Sequence, residues 1–219
     1  MAQQQYIERS PSSPSSEDDE NAELFSAVLS TLDREQLPLL ANAILRRQPL
    51  YRTTNAKPSV GEPLYGSYHI LFPLTFDIGL RWIAKIPINS TASKWDELSA
   101  SALISEANTV RLLKRETTIP LPDVLDFSST TQNTLRCPYI IMTFISGIPL
   151  YNVWFGHRLK GACPDTTHLR RIRALKSIAS AMVQLDRFSF RTGGRLLFGN
   201  DSNPSHIGSM RRVDHKAML

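Results

Sequence analysis

Apolar residues change their spacing several times along this chain, and each change marks an element. Leu24, Phe25, Val28, Leu29 and Leu32 recur at helical spacing. Asp33 followed by Gln36 resembles a capping box and predicts a second helix with Leu37, Leu40, Ala41, Ile44 and Leu45 facing inward. Pro38 is tolerable near the start of that helix. The stretch RRQPLYRTTNAKPSVGEP reads as a loop. From Tyr65 the period shortens: GSYHILFPLTF and LRWIAKIPI are rich in aromatic and β-branched residues, and Asp77 and Gly79 between them suit a tight turn, so a β-hairpin is predicted. A polar loop then leads to a helix predicted over 96–114. TTIPLPDVLDF is a proline-bounded connection with room for one short strand. PYIIMTF is a continuous apolar run, as in a strand buried on both faces. SGIPLYNVWFG is a loop entering a short helix, and residues 166–187 form an amphipathic helix through Leu169, Ile172, Ile178, Met182 and Leu185. From Arg191 onward the pattern fades, and NPSHIGSMRRVDHKAML has no period. No internal repeat is visible.

Composition narrows the picture. Of 219 residues, 42% are hydrophobic and 21% charged, enough apolar material to bury a core. The net charge of +5 favours phosphate-bearing partners in a general way. The cations are scattered and form no stripe interleaved with aromatics, so nucleic acid is not an expected partner. Cys137 and Cys163 stand apart, with no CxxC pair and no histidine cluster, which argues against a zinc site and a disulfide framework. No apolar run approaches the ~18 residues of a membrane span. The N-terminus MAQQQYIERSPSSPSSEDDENA has no apolar signal core and is acidic, unlike a transit peptide, so a cytoplasmic protein is expected. Residues 1–20 are too polar to join a core and read as a disordered tail.

Three features in the middle of the chain suggest chemistry. Lys85 sits in WIAKIP, an otherwise apolar strand, where an unpaired ammonium is costly. It either meets an anion or snorkels from an edge strand. Glu106 lies within a helical stripe formed by Leu103, Ala107, Val110 and Leu113. It reaches Lys85, reaches water from the edge of the stripe, or pairs with Arg81 or Arg111. The strand PYIIMTF leaves the core into a glycine-containing loop, so Met142 is placed at the back of a pocket, and the backbone groups of Thr143 and Ile145 are placed to read an adenine edge. An ordinary core strand followed by a turn is the alternative. Gly66 and Ser67 stand where the first strand of the hairpin region turns, and are the candidates for a loop over phosphates, although no G-x-G-x-x-G is present. Hairpin, helix, connection and buried strand follow in the order of a kinase small lobe.

With these residues assembled, the chain resembles the fungal branch of the aminoglycoside-phosphotransferase family, which has a protein-kinase-like fold. The resemblance rests on YGSYHILFPLTFDIGLRWIAKIP, SEANTVRLLKRETTIPLPDVLDF, PYIIMTFISGIPLYNVW and LKSIASAMVQLDRFSFRTGGRLLF, which together cover about residues 60 to 200. It implies an α+β fold: an antiparallel sheet and helix over 60–147, preceded by a helical pair and loop over 21–58 and followed by the first helices of a large lobe over 148–200, with an irregular tail over 201–219. It implies ATP and Mg²⁺ as cofactors and transfer of a γ-phosphoryl group to a hydroxyl. Lys85 then becomes the phosphate lysine, Glu106 its partner, and Gly66 with Ser67 the loop over the phosphates. Thr143 stands where the family often has an acidic residue.

The family's catalytic loop, H-x-D-x-x-x-x-N, is missing. His69, His157, His168, His206 and His215 are the histidines, and none has Asp two positions later. No catalytic base or metal ligand can be assigned, and the expectation is a large lobe truncated after its first helices, inactive by itself. The helix over 166–187 would then lack its usual neighbours and expose an apolar face, which a protein partner would cover. Three readings follow: a phosphotransferase-like fragment that binds ATP, a pseudokinase-like scaffold or interaction module with no nucleotide role, and a kinase completed by further sequence. The acceptor substrate is not written in the chain.

Overall fold

The computed structural model describes residues 23–156, 163–199 and 203–210. The expectations for residues 1–20 and for 211–219 lie outside the described residues. The fold is α+β, a largely antiparallel sheet with helices on both faces, compatible with a kinase-like small lobe.

Two helices open the described chain, α1 (Ser26–Thr31) and α2 (Gln36–Arg47). The capping box read at Asp33 and Gln36 does not form. Glu35 occupies the cap position with helical dihedrals and no side-chain cap bond. The Asp33 backbone is used otherwise: its carbonyl accepts from Gln36 N, and its amide donates to the Leu135 carbonyl, each at 3.1 Å. The stretch read as a loop after α2 contains a 3-10 turn (Pro49–Tyr51) and strand β1 (Pro58–Val60). A three-residue edge strand opening on proline is too short to show a period. It is ordered by its pairing with the strand His69–Phe76, Pro58 opposite Phe76.

Strands β2 (Leu64–Tyr65), β3 (His69–Phe76) and β4 (Arg81–Pro87) follow, then helix α3 (Glu97–Glu116), β5 (Val124–Ser128) and β6 (Tyr139–Thr143). The sheet order is β1-β3-β4-β6-β5, with β2 also on β3. The β3–β4 hairpin forms as read. Gly79 takes φ +84°, a left-handed conformation that glycine tolerates, and its amide donates to the Phe76 carbonyl at 2.9 Å.

Strand alternation divides the sheet into two faces. Ile70, Phe72, Leu74 and Phe76 of β3, with Trp82, Ala84 and Ile86 of β4 and Ile141 of β6, point to one face. There they meet Phe25, Val28, Leu37, Ala41, Ile44 and Leu45 from the helical pair, so helices and sheet share one core. Lys85 and Ile140 point to the other face, where Leu103 and Ala107 of α3 pack on Ile140 with Trp95, Phe127 and Met142 around them. β6 is therefore buried from both sides at Ile140 and Ile141, as its unbroken apolar run required.

Helix α3 starts at Asp96, whose carboxylate accepts from the Ser99 amide at 2.7 Å. Ser99 in turn accepts from Asn89 Nδ2 at 3.0 Å through its hydroxyl. Asp96→Ala is expected to cost about 1 kcal/mol in a urea titration, the usual value of an N-cap side chain. The effect should be smaller for Asp96→Asn, and an unchanged midpoint in Asp96→Ala would mean the cap is idle.

Helices α4 (Leu150–Phe155) and α5 (Pro164–Leu185) come next. The region read as an irregular tail instead contains a hairpin of β7 (Arg195–Phe198) and β8 (Pro204–Gly208). Its strands carry proline, histidine and glycine and are too short to reveal a period. Their order comes from each other and from α3, where Arg195 donates to the Leu98 carbonyl at 3.1 Å and Arg115 to Asn203 at 3.0 Å. Gly194 is held so close to the Gly208 carbonyl that a β-carbon there would collide with it.

Candidate functional site

The hairpin register places the residues of one face. Leu71 lies opposite Lys85, His69 opposite Pro87, and Lys85 opposite Ile140. Because alternate strand residues share a side, His69, Leu71, Ile83, Lys85, Ile140 and Met142 all look toward the α3 face. Packing of Leu103 and Ala107 onto Ile140 then brings the intervening Glu106 to the end of the Lys85 side chain.

The Lys85 ammonium donates to Glu106 Oε1, closing an ion pair between residues 21 positions apart. The lysine side chain is 19% exposed and the glutamate 40%, so the pair stands at the rim of a recess rather than in the sealed core. The other partners considered for Glu106 are engaged elsewhere. Arg111 donates twice to the Val124 carbonyl at 3.2 Å and lies over the Phe127 ring, and Arg81 lies 4.0 Å from the Phe144 ring centre.

The ion pair borders a cavity of about 230 Å³. Its polar end is Lys85, Glu106 and His69, its apolar wall includes Trp95, Ala102, Leu103 and Ile140, and Tyr68, Pro87, Asn89 and Ser99 complete the lining. Trp95 is fixed by a bond from its indole N–H to the Ser129 carbonyl at 2.7 Å. His69 was not among the residues singled out from sequence. Its imidazole is pushed down to about 4, first by burial and then by the Lys85 charge, with Glu106 opposing. The ring is therefore neutral near pH 7.

The other sequence-selected residues fall at several distances from this point. Gly66 and Ser67 form the exposed tip between β2 and β3, where the Gly66 amide donates to the His69 carbonyl at 2.9 Å. They are not part of the cavity lining, whereas the next residues, Tyr68 and His69, are. Met142 is half-buried on the Lys85 face, opposite Ile83. The Thr143 amide is committed to the Asp123 carbonyl at 3.0 Å, and its hydroxyl accepts from Asp123 N at 2.8 Å. Ile145 lies beyond the strand end and is exposed. Among the described residues no three His, Cys, Asp or Glu side chains gather where a metal ion could sit. The chain thus offers a cation for phosphate oxygens, while a magnesium ion would find no acidic ligand set in the described residues.

No protein-family model matches the chain. Curated relatives do. It is 29% identical over 138 residues to altered inheritance of mitochondria protein 9, mitochondrial, from Candida dubliniensis, and equally to the Candida albicans protein of that name. A further protein of that name, from Lodderomyces elongisporus, is 28% identical over 89 residues. The first two alignments cover 62% of this chain but 21% of each relative, so the chain spans about a fifth of their length. The cytoplasmic location expected from the N-terminal composition is corrected by these names, since the matched relatives are mitochondrial proteins. What the chain is similar to, then, is one stretch of much longer fungal mitochondrial proteins.

Proposed function

We propose that residues 60–147 form an ATP-binding small lobe of the aminoglycoside-phosphotransferase, kinase-like type, acting in the mitochondrion as the relatives' names suggest. The observation that carries this reading is the Lys85–Glu106 pair at the edge of a cavity, on the sheet face opposite the main core. A lysine whose side chain is only 19% exposed is costly without an anion beside it. One pinned by a helix carboxylate is held at a fixed place, which suits contact with phosphate oxygens.

In this reading the adenine lies against Leu71, Ile83 and Met142, which share the Lys85 face. Since the Thr143 amide is already bonded, an adenine contact from Thr143 comes from its carbonyl, with Ile145 supplying the amide. The Gly66–Ser67 tip lies over the phosphates. Magnesium carried by the nucleotide would supply charge neutralisation, and the residues described here would bind and orient rather than transfer. No histidine of the chain has Asp two positions later, so phosphoryl transfer requires a base from other sequence.

The test is a titration with ATP and Mg²⁺, read by thermal shift or calorimetry. Wild type is expected to be stabilised, by about 2.7 kcal/mol at a hundred times Kd. Lys85→Ala removes a charge-assisted bond, so affinity should fall roughly 10- to 150-fold. No response in wild type would overturn the proposal.

That outcome would favour an interaction module, a reading supported by α5. Among the described residues none of its side chains is buried, and Leu169, Met182 and Val183 are 53%, 64% and 74% exposed. The helix packs on α4, where Arg171 lies over the Trp154 ring and donates to the Trp154 carbonyl, and Gln184 accepts from the Thr118 amide at 2.7 Å. Such an apolar face suits coverage by further protein.

A further inference from the structure

We infer that His69 is a nucleotide-discriminating residue, a hydrogen-bonding group that engages the terminal phosphate of a nucleoside triphosphate in the cavity beside Lys85. This rests on the nucleotide reading of the site and goes beyond it by naming a residue that separates triphosphate from shorter nucleotides.

The direction of the strands supplies the first reason. Along β4, Ile83 pairs with Met142, Lys85 with Ile140, and Pro87 with His69 on the opposite neighbour. Each step of two residues advances about 6.6 Å. A ligand with its base near Ile83 and Met142 and its first phosphates at Lys85 therefore extends its chain toward His69.

The second reason is the state of the ring. His69 is half-buried and lines the cavity with Lys85 and Glu106. A polar ring on the wall of a cavity can bond a ligand oxygen that enters it. Burial and the Lys85 charge keep the ring neutral near pH 7, so it presents one N–H donor and one acceptor nitrogen.

Neutrality is the third reason. A lysine or arginine at this position would compete for the Glu106 carboxylate and loosen its hold on Lys85. A neutral imidazole adds a donor and leaves the ion pair intact.

Binding of ATP, ADP and AMP to wild type, His69→Leu and His69→Asn tests this, with thermal melts confirming that each variant is folded. Wild type should prefer ATP to ADP. In His69→Leu, ATP affinity should fall roughly tenfold, the cost of one lost hydrogen bond, with AMP affinity unchanged. His69→Asn, which keeps a donor, should restore most of the preference. Equal ATP-to-ADP ratios in wild type and His69→Leu would overturn the role of His69 and leave the nucleotide site standing. A parallel loss for all three nucleotides would mark His69 as structural and overturn its discriminating role as well. Absence of any binding by wild type would overturn both.

Discussion

Phe72→Ala should lower the stability of the folded chain by about 3–5 kcal/mol, the range for truncating a buried phenylalanine. Phe72 is fully buried at the centre of β3. Its cross-strand neighbour on β4 is Ala84, so the ring fills the space that the small residue leaves open above the sheet. With alanine at both positions the gap cannot be closed by a neighbour on the same face. Leu37, Ile44 and Leu45 would lose the surface on which the helical pair rests. The Arg34 guanidinium, 5.5 Å from the ring centre, would lose its apolar support as well. A urea titration should show a lower midpoint at unchanged slope, since the same surface is still exposed on unfolding. Leu39→Ala, at a position 60% exposed, is the control and should change stability by no more than about 0.5 kcal/mol. A loss below about 1 kcal/mol in Phe72→Ala would contradict docking of the helical pair on the sheet. Because this core backs the strand that carries Lys85, the same variant should weaken the nucleotide binding proposed above without touching the cavity.

What the sequence revealed follows from cost. A lysine in an apolar strand and a glutamate in an apolar helical stripe are each expensive alone, so their pairing was legible before any coordinates. Long periodic segments were legible for a related reason, since α2, β3, β4, α3 and β6 must each bury a whole face. Elements ordered by a neighbour rather than by their own pattern were not, and β1 and the β7–β8 hairpin are of this kind. On α3 the stripe read as Leu103, Ala107, Val110 and Leu113 is wider in fact. Ser99, Ser105 and Leu112 are buried while Val110 and Leu113 are partly exposed, because β5 and the β7 hairpin cover the helix from two sides. His69 escaped notice for another reason. In an alternating strand an imidazole at a non-core position resembles any solvent-facing polar residue, and only the register with β4 sets it beside Lys85. The cytoplasmic expectation rested on the composition of the N-terminal stretch, and a compartment is an address read by receptors that composition alone does not fix.

Acidification should expose the state of His69 directly. Its folded value is about 4 against an ordinary value of 6.5, with burial the main cause and Lys85 the second. Above pH 6.5 the ring is neutral in both folded and unfolded chains and stability does not depend on it. Between pH 6.5 and 4 the unfolded chain takes up a proton that the folded chain refuses, so the folded state loses stability as pH falls. The loss levels off once the folded ring also protonates near pH 4. Integrated over that window it amounts to roughly 3 kcal/mol. Urea midpoints collected from pH 7.5 to 4 for wild type and His69→Gln separate this contribution from carboxylates common to both proteins. Wild type should lose stability more steeply below pH 6.5, and the difference should stop growing near pH 4. Parallel curves would mean that the imidazole is solvated like a surface histidine. The proposed place of His69 at a phosphate end would then lose the enclosure on which the proposed discrimination depends. A steeper curve that persists in Lys85→Met would assign the effect to burial, and one that shrinks there would show how much of it comes from the neighbouring ammonium.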